Sequence, residues 1–147
     1  MSASMRPITK TDLESCAKLL MEAYKSPPWR HNWNFEQALK YLTEYADSKQ
    51  FIGFVLVDKE EIQGAIFAHS KTWWTSEQLV IDELFISPLA QKSGYGRYLL
   101  ENMELHAKSI GLKSVMLMTS KFAPSFNFYK KQNYYPAEQF GFLFKEV

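Results

Sequence analysis

The stretch Val80–Leu100, VIDELFISPLAQKSGYGRYLL, constrains the fold of this chain more than any other. The run from Val80 to Ser87 has the β-branched and aromatic content of a buried strand. Pro88-Leu89-Ala90-Gln91-Lys92-Ser93-Gly94-Tyr95-Gly96 is a turn that opens on proline and closes on two glycines. Beyond it Tyr98, Leu99, Leu100, Met103 and Ala107 recur at helical spacing. A strand entering a helix through a glycine-bearing loop presents free backbone N–H groups at the positive end of the helix dipole. That arrangement suits a phosphate or pyrophosphate. On the glycines alone, a tight strand–helix turn without a ligand competes with a phosphorylated cofactor. The loop is neither a Walker sequence, because no Lys–Ser/Thr pair follows Gly96, nor the dinucleotide pattern G-x-G-x-x-G.

The remaining elements can be read around this unit. Met5 to Ile8 is a short first strand, and Thr11 with Glu14 has the spacing of a capping box. Leu13, Cys16, Ala17, Leu20, Met21 and Tyr24 form a helical stripe that Pro27-Pro28 ends. A second helix starts with Asn34 as N-cap and runs to about Asp47. Phe51–Val57 and Ile62–His69 read as an antiparallel hairpin, Lys71–Gln78 as a loop, and Val80–Ser87 as the central strand. Its helix ends near Gly111, in position for a left-handed C-cap. Ser114–Thr119 is a strand, Pro124 to about Gln132 a short helix, and Phe140–Phe144 a last strand. Strand–helix–strand from Val80 to Thr119 requires a right-handed parallel crossover, whereas the hairpin is antiparallel. The expected fold is α/β in one domain over residues 1–147: a single mixed, mostly antiparallel sheet with helices on both faces.

Composition narrows the function. A formal net charge of +1 gives no ground for nucleic acid or an anionic membrane as partner. No apolar run approaches the ~20 residues of a membrane helix, and the N-terminus lacks a signal-peptide pattern, so a cytoplasmic location is expected. Cys16 is the single cysteine, on the apolar face of a helix, and reads as a buried structural thiol. His31, His69 and His106 have no metal-ligand spacing, so no metal is expected.

Asp82-Glu83-Leu84-Phe85-Ile86-Ser87-Pro88 followed by Gln91-Lys92-Ser93-Gly94-Tyr95-Gly96 resembles the acyl-CoA signature of the GNAT superfamily of N-acetyltransferases. The core of that signature is Q/R-x-x-G-x-G/A after a strand ending in V/I-x-P. Arg6-Pro7-Ile8 is similar to the family's first strand, and Phe128-Tyr129-Lys130-Lys131-Gln132-Asn133-Tyr134 to its late Y-x-x-x-G-F element. Asn133 stands where the family prefers glycine, and asparagine also tolerates the left-handed conformation. Phe122 replaces an asparagine common in the family, so no polar cofactor contact is assigned to it.

The resemblance implies acetyl-CoA as acyl donor, held between central strands that splay apart. Its pyrophosphate would lie on backbone N–H groups of the loop, with Gln91, Lys92, Ser93, Gly94, Tyr95, Gly96 and Arg97 as cofactor-binding residues. A backbone N–H near Phe85 or Ile86 would hold the thioester oxygen. Tyr129 takes the family's place for a phenol that protonates the departing thiolate. An alkyl amine of pKa ~10 must lose a proton before attack, which calls for a carboxylate. Glu83 is favoured and Asp82 is its rival, since strand alternation sends neighbours to opposite faces.

Trp29, Trp33, Trp73 and Trp74, with Asp82 nearby, suit a pocket for a cationic amine. The tryptophans could equally close the core or a dimer interface. The Pro-Pro-Trp…Trp segment is loosely similar to small bacterial members related to aminoglycoside acetyltransferases. The expected activity is acetyl transfer to a primary amine of a small molecule by direct attack in a ternary complex. Transfer to a peptide or protein amine, a non-catalytic acyl-CoA sensor, and a nucleotide-binding protein of another family are the alternatives. Proteins resembling this one are commonly dimeric, so a homodimer is a further expectation.

Overall fold

The structure is a computed structural model that describes residues 2–147. Its sheet holds five strands in sequence order: β1 (Ser4–Pro7), β2 (Phe51–Asp58), β3 (Glu61–Thr72), β4 (Glu77–Ile86) and β5 (Ser114–Leu117). The first three pairings are antiparallel and β4–β5 is parallel, as the crossover requires. Helices α1 (Leu13–Lys25) and α2 (Phe35–Ala46) pack on one face. Helices α3 (Tyr95–Ser109) and α4 (Pro124–Lys131) lie on the other.

Two cores result. The first joins Cys16, Ala17, Leu20, Ala38 and Leu42 to Val55, Ala65, Phe67 and Phe85. The second joins Leu99, Leu100 and Met103 to Leu56, Ile66, Leu79 and Ile81. Gly64 to Ala68, at the centre of β3, is buried throughout because both faces of the sheet are covered. A Cβ at Gly64 would stand 2.5 Å from Ile86 Cδ1, so the tip of that side chain would have to shift to admit one. Cys16 is fully buried, and burial pushes its thiol up to about 12, consistent with an inert core residue.

Local chemistry sets the element ends. Asn34 caps α2, its side chain accepting from Gln37 N at 2.8 Å while Gln37 returns a contact to Asn34 N. Gly111 and Asn133 adopt positive φ (89° and 72°) just beyond α3 and α4, as expected of helix-ending residues. The capping box near α1 is Thr9 with Asp12 rather than Thr11 with Glu14. Asp12 also receives both guanidinium nitrogens of Arg6, at 2.8 and 2.9 Å, pinning β1 to the start of α1. These bonds, the Arg6 pair first, hold its carboxyl down at about 2.

Three further sequence expectations are corrected. The loop expected over 71–78 shrinks to residues 73–76, because Thr72 pairs with Glu77 and β4 starts three residues before Val80. The strand beginning at Ser114 stops at Leu117. Phe140–Phe144 forms no strand: Phe140, Phe142, Leu143 and Phe144 are exposed and unpaired with the sheet. An alternating apolar run makes a strand only when an edge is there to receive it. No helix of the described residues is long and apolar enough to cross a membrane.

Candidate active site

The site is built on a β-bulge. Phe67 pairs with Glu83, but the next residue of β3, Ala68, pairs with Ile81, which leaves Asp82 as an extra residue in β4. Ile81 and Leu84 both pack toward α3, so the two residues between them share the opposite face. Tyr24 of α1 and Tyr41 of α2 donate to Glu83 on that face, at 2.8 and 2.5 Å. Tyr45, also on α2, feels the charge of both carboxylates. Adjacent carboxylates expected to point apart are therefore brought together, because the bulge cancels the alternation.

Burial lifts the Glu83 carboxyl above the usual range, the phenols of Tyr41 and Tyr24 pull it back, and Asp82 adds repulsion. Burial likewise raises Asp82, against the opposing effect of His69, whose Nδ1 lies 2.6 Å from Asp82 Oδ2. Trp29 meets Tyr24 edge-on at 5.3 Å between centroids, and Trp33 lies 5.0 Å from Tyr41. His31 accepts from Trp33 Nε1 at 3.3 Å and packs on Tyr24. Trp29 and Trp33 therefore flank the phenols that hold Glu83. Trp73 and Trp74 instead occupy the β3–β4 turn, 46% and 85% exposed, and make no ring contact with that cluster. His106 packs edge-on against Phe54, away from the site.

On the other side of β4 the sheet splits. β4 and β5 pair only from Gln78–Ser114 to Ile81–Leu117, and from Asp82 to Ile86 the outer edge of β4 has no strand partner. Phe85 and Ile86 commit their side chains to opposite cores. Since neighbours in an antiparallel ladder turn their backbone groups to alternate edges, one of the two presents its N–H to the open edge. Gly94, N-cap of α3 with φ 84°, has no atom within 4 Å of where a Cβ would stand, so the space before the helix is open. The first turn of this fifteen-residue helix leaves the N–H groups of Tyr95, Gly96 and Arg97 without intrahelical partners.

The loop side chains mostly bind the protein itself. Gln91 donates to Ile86 O at 3.3 Å, Ser93 to Ala90 O, and Tyr95 to Asp58 at 2.5 Å; Arg97 pairs with Glu101 at 2.7 Å. Lys92 (φ 67°) is the exposed cation of the loop without an ion pair among the described residues. An anion here would be met chiefly by backbone, as at other helix N-termini. The open β4 edge, the empty volume beside Gly94 and the free N–H groups together suit a long, phosphate-bearing acyl carrier.

Tyr129 of α4 is close enough to Glu83 to feel its charge. It is 9% exposed, its hydroxyl makes no hydrogen bond within the protein, and that oxygen is not sealed from solvent. Burial and the Glu83 charge both raise its phenol, which keeps it protonated at neutral pH. Sequence reasoning missed Tyr24, Tyr41, Tyr45 and His69 as site residues. The one local signal was Tyr41 and Tyr45 at i,i+4, which puts two phenols on one face of α2.

The family model described as the acetyltransferase (GNAT) family matches residues 13–134. The chain belongs to that family, and is an acetyl-CoA-dependent N-acetyltransferase with the mixed α/β sheet such enzymes share. No curated protein sequence matches it. Among solved structures, a GNAT family acetyltransferase from Staphylococcus aureus subsp. aureus USA300_TCH1516 is similar at TM-score 0.75 and 20% identity, with 99% of this chain and 100% of that one covered. An aminoglycoside acetyltransferase, meta-AAC0020, from an uncultured soil metagenomic sample and in complex with sisomicin, is similar at TM-score 0.77 and 14% identity, covering 99% and 97%. AAC(6')-Iy, in complex with the bisubstrate analog CoA-S-monomethyl-acetylneamine, reaches TM-score 0.77 at 15% identity, with 100% of both chains covered.

Proposed function

We propose that this chain transfers an acetyl group from acetyl-CoA to a primary amine of a small molecule, by direct attack in a ternary complex over one domain. The observation that carries this reading is the Asp82–Glu83 pair, ringed by Tyr24, Tyr41, Tyr45, Trp29 and Trp33, at the mouth of the split between β4 and β5. An ammonium ion is drawn by the carboxylates and by the aromatic faces. Glu83 Oε takes its proton: burial has moved that carboxyl toward the amine's own pKa, and the two phenols fix its orientation.

Acetyl-CoA supplies the activated thioester. Backbone N–H groups at the start of α3, from Ser93 to Arg97, hold its pyrophosphate, and the β4 backbone near Phe85 and Ile86 holds the thioester oxygen. Tyr129 keeps a proton on its hydroxyl for the sulfur that leaves. The aromatic wall between α1 and α2 favours a compact acceptor over a peptide that needs an open groove. The test is thiol release from acetyl-CoA across a panel of small amines and N-terminal peptides, with products identified by mass. Release with small amines supports the reading; release with peptides alone transfers it to the peptide-acceptor class.

A homodimer belongs to the same reading. Phe140, Phe142, Leu143 and Phe144 leave four large apolar side chains exposed within five residues, which a second copy could cover. Light scattering on the purified chain should give twice the monomer mass, and a monomer at all concentrations would refute it.

A further inference from the structure

The bulge raises a question of proton traffic. When an ammonium substrate becomes an amide, one of its protons ends on the thiol sulfur and one must reach solvent. Tyr24 and Tyr41 engage one Glu83 carboxylate oxygen each, so a proton taken there is held among phenols and needs a further acceptor on its way to solvent. Beside it on the same face is a second, more open titratable group. His69 of β3 pairs through Nδ1 with Asp82 at 2.6 Å, and the side chains are 30% and 11% exposed respectively. The imidazole is therefore the more solvent-exposed member of the pair beside Glu83.

We infer that His69 is the proton exit of this site and that Asp82 is its positioning residue; the inference rests on the acetyltransferase reading above. With Nδ1–H donating to Asp82, Nε2 is an acceptor. Before attack the ammonium gives one proton to Glu83 Oε. The N–C bond then forms as the thioester C–S bond breaks, and the second amine proton replaces the one Tyr129 gives to the sulfur. The Glu83 proton passes through solvent to His69 Nε2. The resulting imidazolium is held by the Asp82 carboxylate, and the same Nε2–H is given up to bulk buffer. One proton enters and one leaves, and nothing is oxidised or reduced. The imidazole ring has two nitrogens, so Nε2 can take and release a proton while Nδ1 stays bonded to Asp82. The titratable groups that act on Asp82 of the pair are Glu83 from β4 and Tyr45 from α2; Tyr24 from α1 and Tyr41 from α2 act on Glu83, and Glu44 on Tyr45. No cation among them would oppose an imidazolium.

His69→Gln keeps a donor toward Asp82 but cannot relay a proton. In the full chain, kcat should fall about tenfold or more while the KM for acetyl-CoA and for the amine stays within about twofold. Added imidazole should restore kcat saturably in His69→Gln but not in a variant lacking Glu83. Asp82→Asn should shift the neutral limb of the pH profile, and the double variant should lose no more than the worse single one. A His69→Gln enzyme with wild-type kcat across about pH 6 to 9, or one that imidazole does not rescue, overturns the relay and leaves the acetyltransferase reading intact. A wild-type protein that releases no thiol with any amine overturns both.

Discussion

Replacing Glu83 by glutamine separates catalysis from stability, because the two move in opposite directions. Each oxygen of the carboxylate accepts one phenol proton, from Tyr24 at 2.8 Å and Tyr41 at 2.5 Å. The amide keeps one acceptor oxygen, so one tyrosine must turn and accept instead, a change of about 1 kcal/mol. Against that, the substitution removes a charge whose burial is costly. The folded carboxyl titrates above its ordinary value of 4.5, with desolvation the leading cause. A group with a raised folded pKa stabilises the fold fully only below its unfolded pKa, and that contribution is lost as pH rises through the folded pKa. At pH 7 Glu83 is therefore a liability, and Glu83→Gln should be as stable as wild type or more so. Acid solution should narrow the gap. Activity should behave otherwise. Loss of a positioned base is worth about 10²–10⁴ in kcat, and the acid limb that Glu83 gives the rate profile should vanish. Thiol release against pH, alongside urea unfolding of both proteins, measures the two effects. A variant with kcat within about threefold of wild type and the same acid limb would refute the assignment.

Tyr129→Phe removes a hydroxyl that makes no hydrogen bond in the protein, so stability and acetyl-CoA affinity should hold while kcat drops about 10²-fold; unchanged turnover would remove Tyr129 from the chemistry. Asp12 is held at about 2 against an ordinary 3.8, worth about 2 kcal/mol that is present above pH 3.8 and fades as pH falls toward 2. Asp12→Asn should cost that amount in urea unfolding at pH 7 and little near pH 2, and an equal cost at both would deny the Arg6–Asp12 pair its role.

Much of this architecture can be read from local sequence. Asn34 before an amphipathic run, Gly111 and Asn133 at helix ends, and Gly94 ahead of α3 each answer a backbone requirement that a few residues decide. The facing of Asp82 and Glu83 is of another kind. It depends on β3 pairing with β4 out of step at Phe67 and Ala68, a long-range register that alternation along one strand cannot report. His69 escapes notice for the same reason, since its partner lies thirteen residues away on the neighbouring strand. The β3–β4 ladder also extends past the point where Trp73 and Trp74 suggest a loop, because cross-strand bonds at Thr72 and Glu77 carry it further. Phe140, Phe142 and Phe144 have the period of a strand but find no edge in the single chain.

The pocket and the cradle make separate demands on the chain. The carboxylates and phenols depend on the bulge and on α1 and α2, whereas the donor's place depends on the β4–β5 split and the first turn of α3. Damage to one should leave the other readable: Glu83→Gln should still bind acetyl-CoA, and a cradle variant should keep the Glu83 phenol bonds.

Calorimetric titration of acetyl-CoA into the wild-type chain and into Gly94→Val tests the central claim most directly. Gly94 is open to solvent at φ 84°, so valine would add backbone strain of about 1 kcal/mol and place a side chain where the pyrophosphate must lie. The account predicts one saturable site in the wild type, competed by coenzyme A and not by ATP, and loss of that site in a Gly94→Val protein that remains folded. Absence of binding to the wild type, or unchanged affinity in folded Gly94→Val, would contradict it.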